Sequence, residues 1–284
     1  MFGLLTFFRA IVIGLLQGVT ELFPVSSLGH SVLVPALFGW DDLVSAQSAN
    51  ESFYLAFLVA LHVATALALL VFFWRDWDRI IRGFFRTLRT RKVTSSDERL
   101  AWLLVIATIP AGIIGLVFEH SLRTIFAKPF AAAVFLTLNG ALLLGGETIR
   151  RRTPRRRREL DNLHYGEAGL VGVAQIGALF AGISRSGITM VAGLVRGLDH
   201  EDAARFSFLL ATPIIFAAGV YKLPDLLGHN GDGIRGQALA GAVVAAIAAY
   251  VSVRFLVRFF ETRTLWPFGI YCLVAGVFCM VRFA

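Results

Sequence analysis

Two short stretches gather ionisable and hydroxyl side chains inside otherwise apolar sequence. In the first, Glu21, Ser26, Ser27 and His30 surround Pro24; in the second, Ser184, Arg185, Ser186 and Thr189 follow Gly182. A charged side chain at membrane depth costs roughly 2.5–3.5 kcal/mol on insertion scales, so such a cluster points to a site. The bland alternative is that Glu21 and His30 satisfy each other across a turn while Arg185 serves as a counter-ion for Glu21. The residue types suit phosphoryl transfer, in which one group attacks phosphorus, cations neutralise the equatorial oxygens and an acid protonates the leaving oxygen. Arg185 offers a planar fork that matches two phosphate oxygens. Gly182 and Gly187 let backbone N–H groups approach an anion closely. Ser184, Ser186 and Thr189 add hydroxyl donors, and Thr189 falls near a helix start, where the dipole favours negative charge. Ser27 attacking with His30 as its base, and His30 attacking directly with Glu21 holding it, are both open. One helical turn separates the two residues, which lets both point the same way and does not choose between them.

The two stretches are copies of one pattern, displaced by 158 positions without a gap. Gly14 meets Gly172, Gln17 meets Gln175, Ser26 meets Ser184, Gly29 meets Gly187, Ser31 meets Thr189, Gly39 meets Gly197, and Asp41 meets Asp199. The mismatches carry the chemistry: Glu21 faces Leu179, Ser27 faces Arg185, and His30 faces Ile188. A duplicated scaffold with unlike side chains predicts one composite site.

The elements that must hold this site are membrane helices. With 57% hydrophobic residues and a mean hydropathy of +0.71, the chain is too apolar for a water-soluble domain of its size. Spans are expected at 53–74, 101–118, 130–148, 203–221, 238–257 and 265–281. The net charge of +8 resides in a few loops, which is how membrane orientation is written rather than a nucleic-acid surface. Arg75 to Lys92, the run 150–159, and Arg254, Arg258 and Arg263 therefore mark cytoplasmic loops, with recruitment of anionic lipid the weaker reading of the same charges. Segments 4–38 and 162–198 are apolar at both ends and polar in the middle, so each reads as a re-entrant helical hairpin. Each copy is then a hairpin plus three spans. Three is odd, so the copies sit upside down relative to each other and their tips can meet near the midplane.

The expected fold is an all-α polytopic membrane protein, an inverted-topology repeat in one integral domain over 1–284. Residues 1–149 form the first repeat, 150–164 a basic cytoplasmic linker, and 165–284 the second repeat. Such repeats are common in transporters. Arg9 interrupts the apolar N-terminus, and no small-residue cleavage site follows before Glu21, so the segment reads as retained membrane sequence. Cys272 and Cys279 lie two turns apart on one helix face, too far for a mutual disulfide. His62 reads as a helix-packing group in preference to a site residue. Pro110 and Pro213 are expected to kink their helices, and Trp40, Trp74, Trp77 and Trp266 to form interfacial belts.

The strings QGVTELFPVSSLGH and AGISRSGIT resemble the two signature regions of the bacterial undecaprenyl-pyrophosphate phosphatase family. The similarity continues through LHVAT…FFWRDW, IATIPAGIIGLVFE and EDAARFSFLLATPIIFAAGVYKLPD to nearly the whole chain. The resemblance implies an integral membrane hydrolase that converts the C55 isoprenoid diphosphate to its monophosphate at the outer face of the bacterial inner membrane. That reaction recycles the carrier for peptidoglycan and other cell-wall polymers and bears on bacitracin resistance. It further implies an active site of Glu21, Ser26, Ser27, His30, Ser184, Arg185, Ser186 and Thr189, and a divalent cation, Mg²⁺ or Ca²⁺. The family's first region often begins with Glu where this chain has Gln17, so the cation would lean on Glu21, Gln17 and the substrate diphosphate. Ala181 stands where the second region commonly has Pro, so the turn loses some preorganisation. The implied partners are the isoprenoid diphosphate, membrane lipids and, as the one protein partner left open, a second copy in a homodimer; nucleic acid is not expected. The runner-up function is a transporter or flippase of phosphorylated isoprenoid lipid; a non-catalytic scaffold fits the buried ionisable groups poorly.

Overall fold

The computed structural model describes residues 5–48, 53–126, 128–152, 158–228 and 233–284. Among them the chain is all-helical, and its one strand-like feature is an isolated bridge between Arg158 and Leu198. Six helices are long and apolar enough to cross a bilayer: α4 (Phe53–Phe72), α6 (Ser96–Phe126), α7 (Pro129–Arg152), α10 (His200–Leu227), α11 (Arg235–Thr262) and α12 (Trp266–Phe283). All six expected spans are present. Pro110 and Pro213 lie inside continuous helices. Large apolar side chains such as Leu116, Val117, Leu239, Val274 and Val281 point outward, as a lipid-facing surface requires. Cys272 and Cys279 are buried free thiols.

Four shorter helices build the two polar segments: α1 (Phe7–Thr20), α2 (Ser27–Leu37), α8 (Tyr165–Gln175) and α9 (Arg185–Val195). At about 1.5 Å per residue they rise about 21 Å for α1 and about 17 Å for the others, short of the roughly 30 Å hydrocarbon core. Each pair is broken where its hydroxyl side chains cap the second helix. Ser26 Oγ accepts from the Gly29 N–H at 3.2 Å to start α2, and Ser184 Oγ accepts from the Gly187 N–H at 3.1 Å to start α9. A 3₁₀ turn, Ile176–Leu179, follows α8.

Two further helices lie where sequence patterning suggested only loops. The Arg-rich stretch forms α5 (Trp74–Thr90), and α3 covers Asp41–Ser48. Arg9 ties α1 to α3 through Asp42 at 2.7 Å. Part of the basic run, 153–157, lies outside the described residues. Its end is ordered: the Arg158 N–H donates to the Gly197 carbonyl at 3.1 Å.

Glycines decide which helices touch. Gly14 of α1 lies against the Gly241 backbone of α11, and Gly172 of α8 against the Ala107 backbone of α6, so close that a methyl group at either would meet a carbonyl oxygen. Thus each short helix leans on a long helix from the other half of the sequence. The main core, with Phe206, Phe208, Leu209 and Phe260 fully buried, fills the space around α7, α9, α10, α11 and α12. A smaller cluster around Tyr54, Phe57 and Ile13 joins α1 to α4 and α11.

Candidate active site

The ends of α1, α2 and α9 converge on one carboxylate. Glu21, at the C-terminus of α1, is buried. Its Oε1 accepts from Arg185 Nη2 at 2.7 Å. Its Oε2 accepts from the Ser27 hydroxyl and from Gln17 Nε2, the latter at 3.1 Å, and His62 Nε2 stands 3.4 Å away. Ser27 and Arg185 occupy the same position in the two sequence copies and meet on opposite oxygens of this one group. A charge-assisted hydrogen bond from one guanidinium nitrogen to a carboxylate in a low-dielectric setting is a strong contact. The guanidinium is only half used: Arg185 Nη1 is buried with no hydrogen-bond partner among the described residues, as is Gln17 Oε1.

Backbone geometry brings the two loops together. Gly182 has φ +116°, a value that favours glycine. A Cβ at Gly29 would lie 2.8 Å from Gly182 Cα, so the loops touch backbone to backbone. Ser26 is held at φ 73°, ψ 103°, outside the usual L-residue regions. Its Oγ also accepts the Gly182 N–H at 3.1 Å, so one hydroxyl caps α2 and tethers the second loop. Asn139 of α7 completes the clamp: its Nδ2 donates to the Pro24 carbonyl at 3.0 Å and its Oδ1 accepts the Ser184 N–H at 2.9 Å.

His30 points elsewhere. Its Nδ1 faces the Ser26 carbonyl at 2.7 Å; a carbonyl only accepts, so Nδ1 carries a hydrogen, and in the neutral ring Nε2 is the acceptor. Nε2 takes the hydroxyl of Tyr271, from α12, at 2.8 Å. The rings lie nearly parallel, 11° apart with centroids 5.8 Å from each other. No hydrogen bond joins Ser27 to His30 among the described residues, although both sit on α2. The spacing left them able to point the same way, and the packing turns them to different partners.

The second-copy hydroxyls are largely engaged in structure. Ser184 Oγ caps α9 and lies 3.0 Å from Ser186 Oγ. Ser186 reaches the Phe23 carbonyl at 3.4 Å. Thr189 donates back to the Arg185 carbonyl at 2.8 Å and pairs with Ser207 at 2.7 Å. Of this set Arg185 alone reaches Glu21. Conversely, His62, read from sequence as a packing group, does both jobs, since its Nδ1 donates to the Leu58 carbonyl at 2.8 Å while Nε2 faces Glu21. Asn139 and Tyr271 were invisible in the motifs because they lie far from them in sequence.

Among the described residues no three His, Cys, Asp or Glu side chains cluster as a metal site. The donors that fit a hard cation are the Glu21 carboxylate and the unpartnered Gln17 Oε1 beside it, too few for a cation held by protein alone.

Six helices long and apolar enough to cross a bilayer, with a buried Glu–Arg–Ser–His constellation at the break between short apolar helices, mark a multi-pass membrane protein with a buried polar site. The chain belongs to the family described as bacitracin resistance protein BacA, whose model matches residues 10–278. It is similar to undecaprenyl-diphosphatase 2 of Frankia alni, 56% identical over 99% of this chain and 98% of that protein. The undecaprenyl-diphosphatase of Mycolicibacterium paratuberculosis is 58% identical over 96% of this chain and 95% of its own length. Undecaprenyl-diphosphatase 2 of Burkholderia orbicola is 52% identical over 95% and 94%.

Proposed function

We propose that this chain hydrolyses undecaprenyl diphosphate to undecaprenyl phosphate and inorganic phosphate. The observation that carries the mechanism is the meeting of Ser27 and Arg185 on the two oxygens of buried Glu21. Ser27 attacks the terminal phosphorus and gives its proton to Glu21. The new Oγ–P bond forms as the bridging P–O bond breaks, and the lipid monophosphate leaves. Water then attacks the phosphoserine and the Oγ–P bond breaks; Glu21 returns its proton to Ser27 Oγ, and both water protons leave with the inorganic phosphate. Arg185 neutralises the phosphoryl oxygens through Nη1, which has no hydrogen-bond partner among the described residues. The hydroxyls of Ser184, Ser186 and Thr189 shape the loop that presents Arg185. A divalent cation, Mg²⁺ or Ca²⁺, would be held by Gln17 Oε1 and Glu21 together with the substrate diphosphate, and would supply further charge neutralisation.

The architecture supporting this reading is an inverted repeat, 1–149 and 165–284, joined by the basic linker 150–164, with α1–α2 and α8–α9 as re-entrant hairpins. It is supported by the helix lengths and by the reciprocal packing of Gly14 and Gly172. The Arg-rich loops put 75–92 and 150–159 in the cytoplasm of an inner-membrane protein, and the site opens to the outer face.

The test is phosphate release by purified protein from C55 or C15 isoprenyl diphosphate with Mg²⁺. Ser27→Ala and Arg185→Ala are each expected to lower kcat by at least about 10³-fold, as for groups acting as one unit. An acid-stable phosphoenzyme mapped to Ser27 supports the serine route; an acid-labile adduct on His30 overturns it.

A further inference from the structure

We propose that α5 is an in-plane interfacial helix that binds anionic phospholipid on the cytoplasmic leaflet. At about 100° per residue its side chains fall on three separate arcs. Ile80, Gly83 and Thr87 are buried and face α6, where Trp102 Nε1 donates to Thr87 Oγ1 at 3.0 Å and Gly83 lies against the Glu98 backbone. Trp74, Ile81, Phe85 and Leu88 form a second arc about 60° wide, 58%, 46%, 63% and 51% exposed. Arg75, Arg79, Arg82, Arg86 and Arg89 form a third, about 80° wide, between the other two. An apolar stripe beside a cationic stripe is the pattern of a helix lying at a lipid surface.

Position in the fold says what covers the apolar stripe. One residue, Phe73, separates α5 from the spanning helix α4, and α6 begins at Ser96, so α5 is held at the end of two spans. Its stripe continues the outward apolar surface of α4 through Val71 and Trp74. Arg79, Arg82 and Arg86 have carboxylate partners in Asp76, Asp78 and Glu98. Over 74–92, however, seven basic side chains face only Asp76 and Asp78 within the segment, an excess that complements anionic headgroups.

The full chain reconstituted with brominated phosphatidylglycerol or brominated phosphatidylcholine tests this. The emission lost in Trp74→Phe relative to wild type isolates Trp74, and it is expected to be quenched at shallow bromine positions and more strongly by phosphatidylglycerol. Native mass spectrometry is expected to show phosphatidylglycerol retained on wild type, with affinity falling on the order of fivefold for each arginine removed in R75Q, R82Q and R89Q. Equal quenching by the two lipids, or no quenching of Trp74, overturns the proposal; the quenching readout uses only wild type and the conservative Trp74→Phe, so misfolding of the triple variant does not blunt it.

We further infer that Tyr271 is a positioning residue for His30, whose Nδ1 in turn holds the Ser26 carbonyl beside Ser27, a step that rests on the hydrolase reading. The Tyr271 hydroxyl occupies the one His30 nitrogen not committed to the Ser26 carbonyl. It comes from a half-exposed face of α12 that also presents Ile270, Val274 and Phe278 outward. A phenol both donates and accepts, so it holds the ring whether or not Nε2 gains a proton during turnover. Tyr271→Phe keeps the ring and removes only the hydroxyl. It is expected to lower kcat about tenfold with KM unchanged, to alter the pH profile, and to shift the His30 Nε2 resonance in ¹⁵N NMR. Wild-type kcat, pH profile and ¹⁵N shift in Tyr271→Phe overturn the inference; an inactive wild type with the ¹⁵N shift intact instead overturns the hydrolase reading alone.

Discussion

Ser26 is the residue on which the two loops depend, and it is held where L-residues rarely go, at φ 73°. Such backbone costs on the order of 1–3 kcal/mol and persists only when its surroundings over-determine it. Here the over-determination is the Oγ that accepts both the Gly29 and Gly182 N–H groups, each bond worth about 1 kcal/mol. Ser26→Ala keeps the backbone cost and loses both bonds, so it is expected to destabilise by about 2 kcal/mol. Ser26→Gly loses the bonds but relieves the backbone, so it should stay near wild type in thermal unfolding. An alanine variant as stable as the glycine variant contradicts this account. Gln17 supports a second prediction. In Gln17→Glu two carboxylates adjoin at the position where Nε2 now donates to Glu21 at 3.1 Å, so repulsion lowers stability without cation and Mg²⁺ or Ca²⁺ restores it. A melting temperature that Mg²⁺ raises equally in both proteins would count against Gln17 as a ligand. Glu21, Ser27 and Arg185 were legible in sequence because a polar group inside an apolar repeat is conspicuous. The partners of His30 were not, since side-chain direction depends on packing of α12 that lies 241 positions away.

At the scale of elements, the six spans were legible from apolar length, and the two broken segments from their polar interiors. The helix α5 was not, because high charge masked a three-residue-plus-four spacing of Ile81, Phe85 and Leu88, whose second face is supplied by α6. The linker end hid similar order. Arg158 grips Glu167 with both nitrogens, at 2.9 and 3.1 Å, and Glu167 in turn accepts the His164 N–H at 2.9 Å, capping α8. Burial pushes the Glu167 carboxyl upward, but the Arg158 fork, the His164 N–H and the charges of Arg158 and His164 outweigh it and hold it below the ordinary carboxylate range. A depressed folded value means the contribution is fully present above the unfolded value, near about 4.3, and is lost as pH falls through the folded one. Thermal unfolding in detergent should therefore lose stability below that pH, and Glu167→Gln should lack that part of the slope. Identical slopes in the two proteins would remove Glu167 from the account.

At the scale of the whole molecule, the proposed inversion of the two halves lets tips entering from opposite faces supply Glu21 and Arg185 to one place. Equivalent positions should then lie on opposite sides of the membrane. Asp41 and Glu201, the latter two residues past the strict equivalent Asp199, are exposed and sit just beyond α2 and α9 in their respective copies. The native thiols, Cys272 and Cys279, are buried, so single cysteines placed at these positions are read against a quiet background. In intact cells a membrane-impermeant maleimide is expected to label Asp41→Cys and to reach Glu201→Cys only after permeabilisation, as the proposed cytoplasmic placement of the Arg-rich loops requires. Labelling of both from outside, or of neither, would mean parallel copies. In the proposed inverted arrangement the tips meet from opposite faces, so no helix of either pair need cross the bilayer outright. α1, α2, α8 and α9, at about 17–21 Å, are too short for that. The length of these four helices fits the proposed inversion, and the side of the membrane on which the two cysteines react is its direct test.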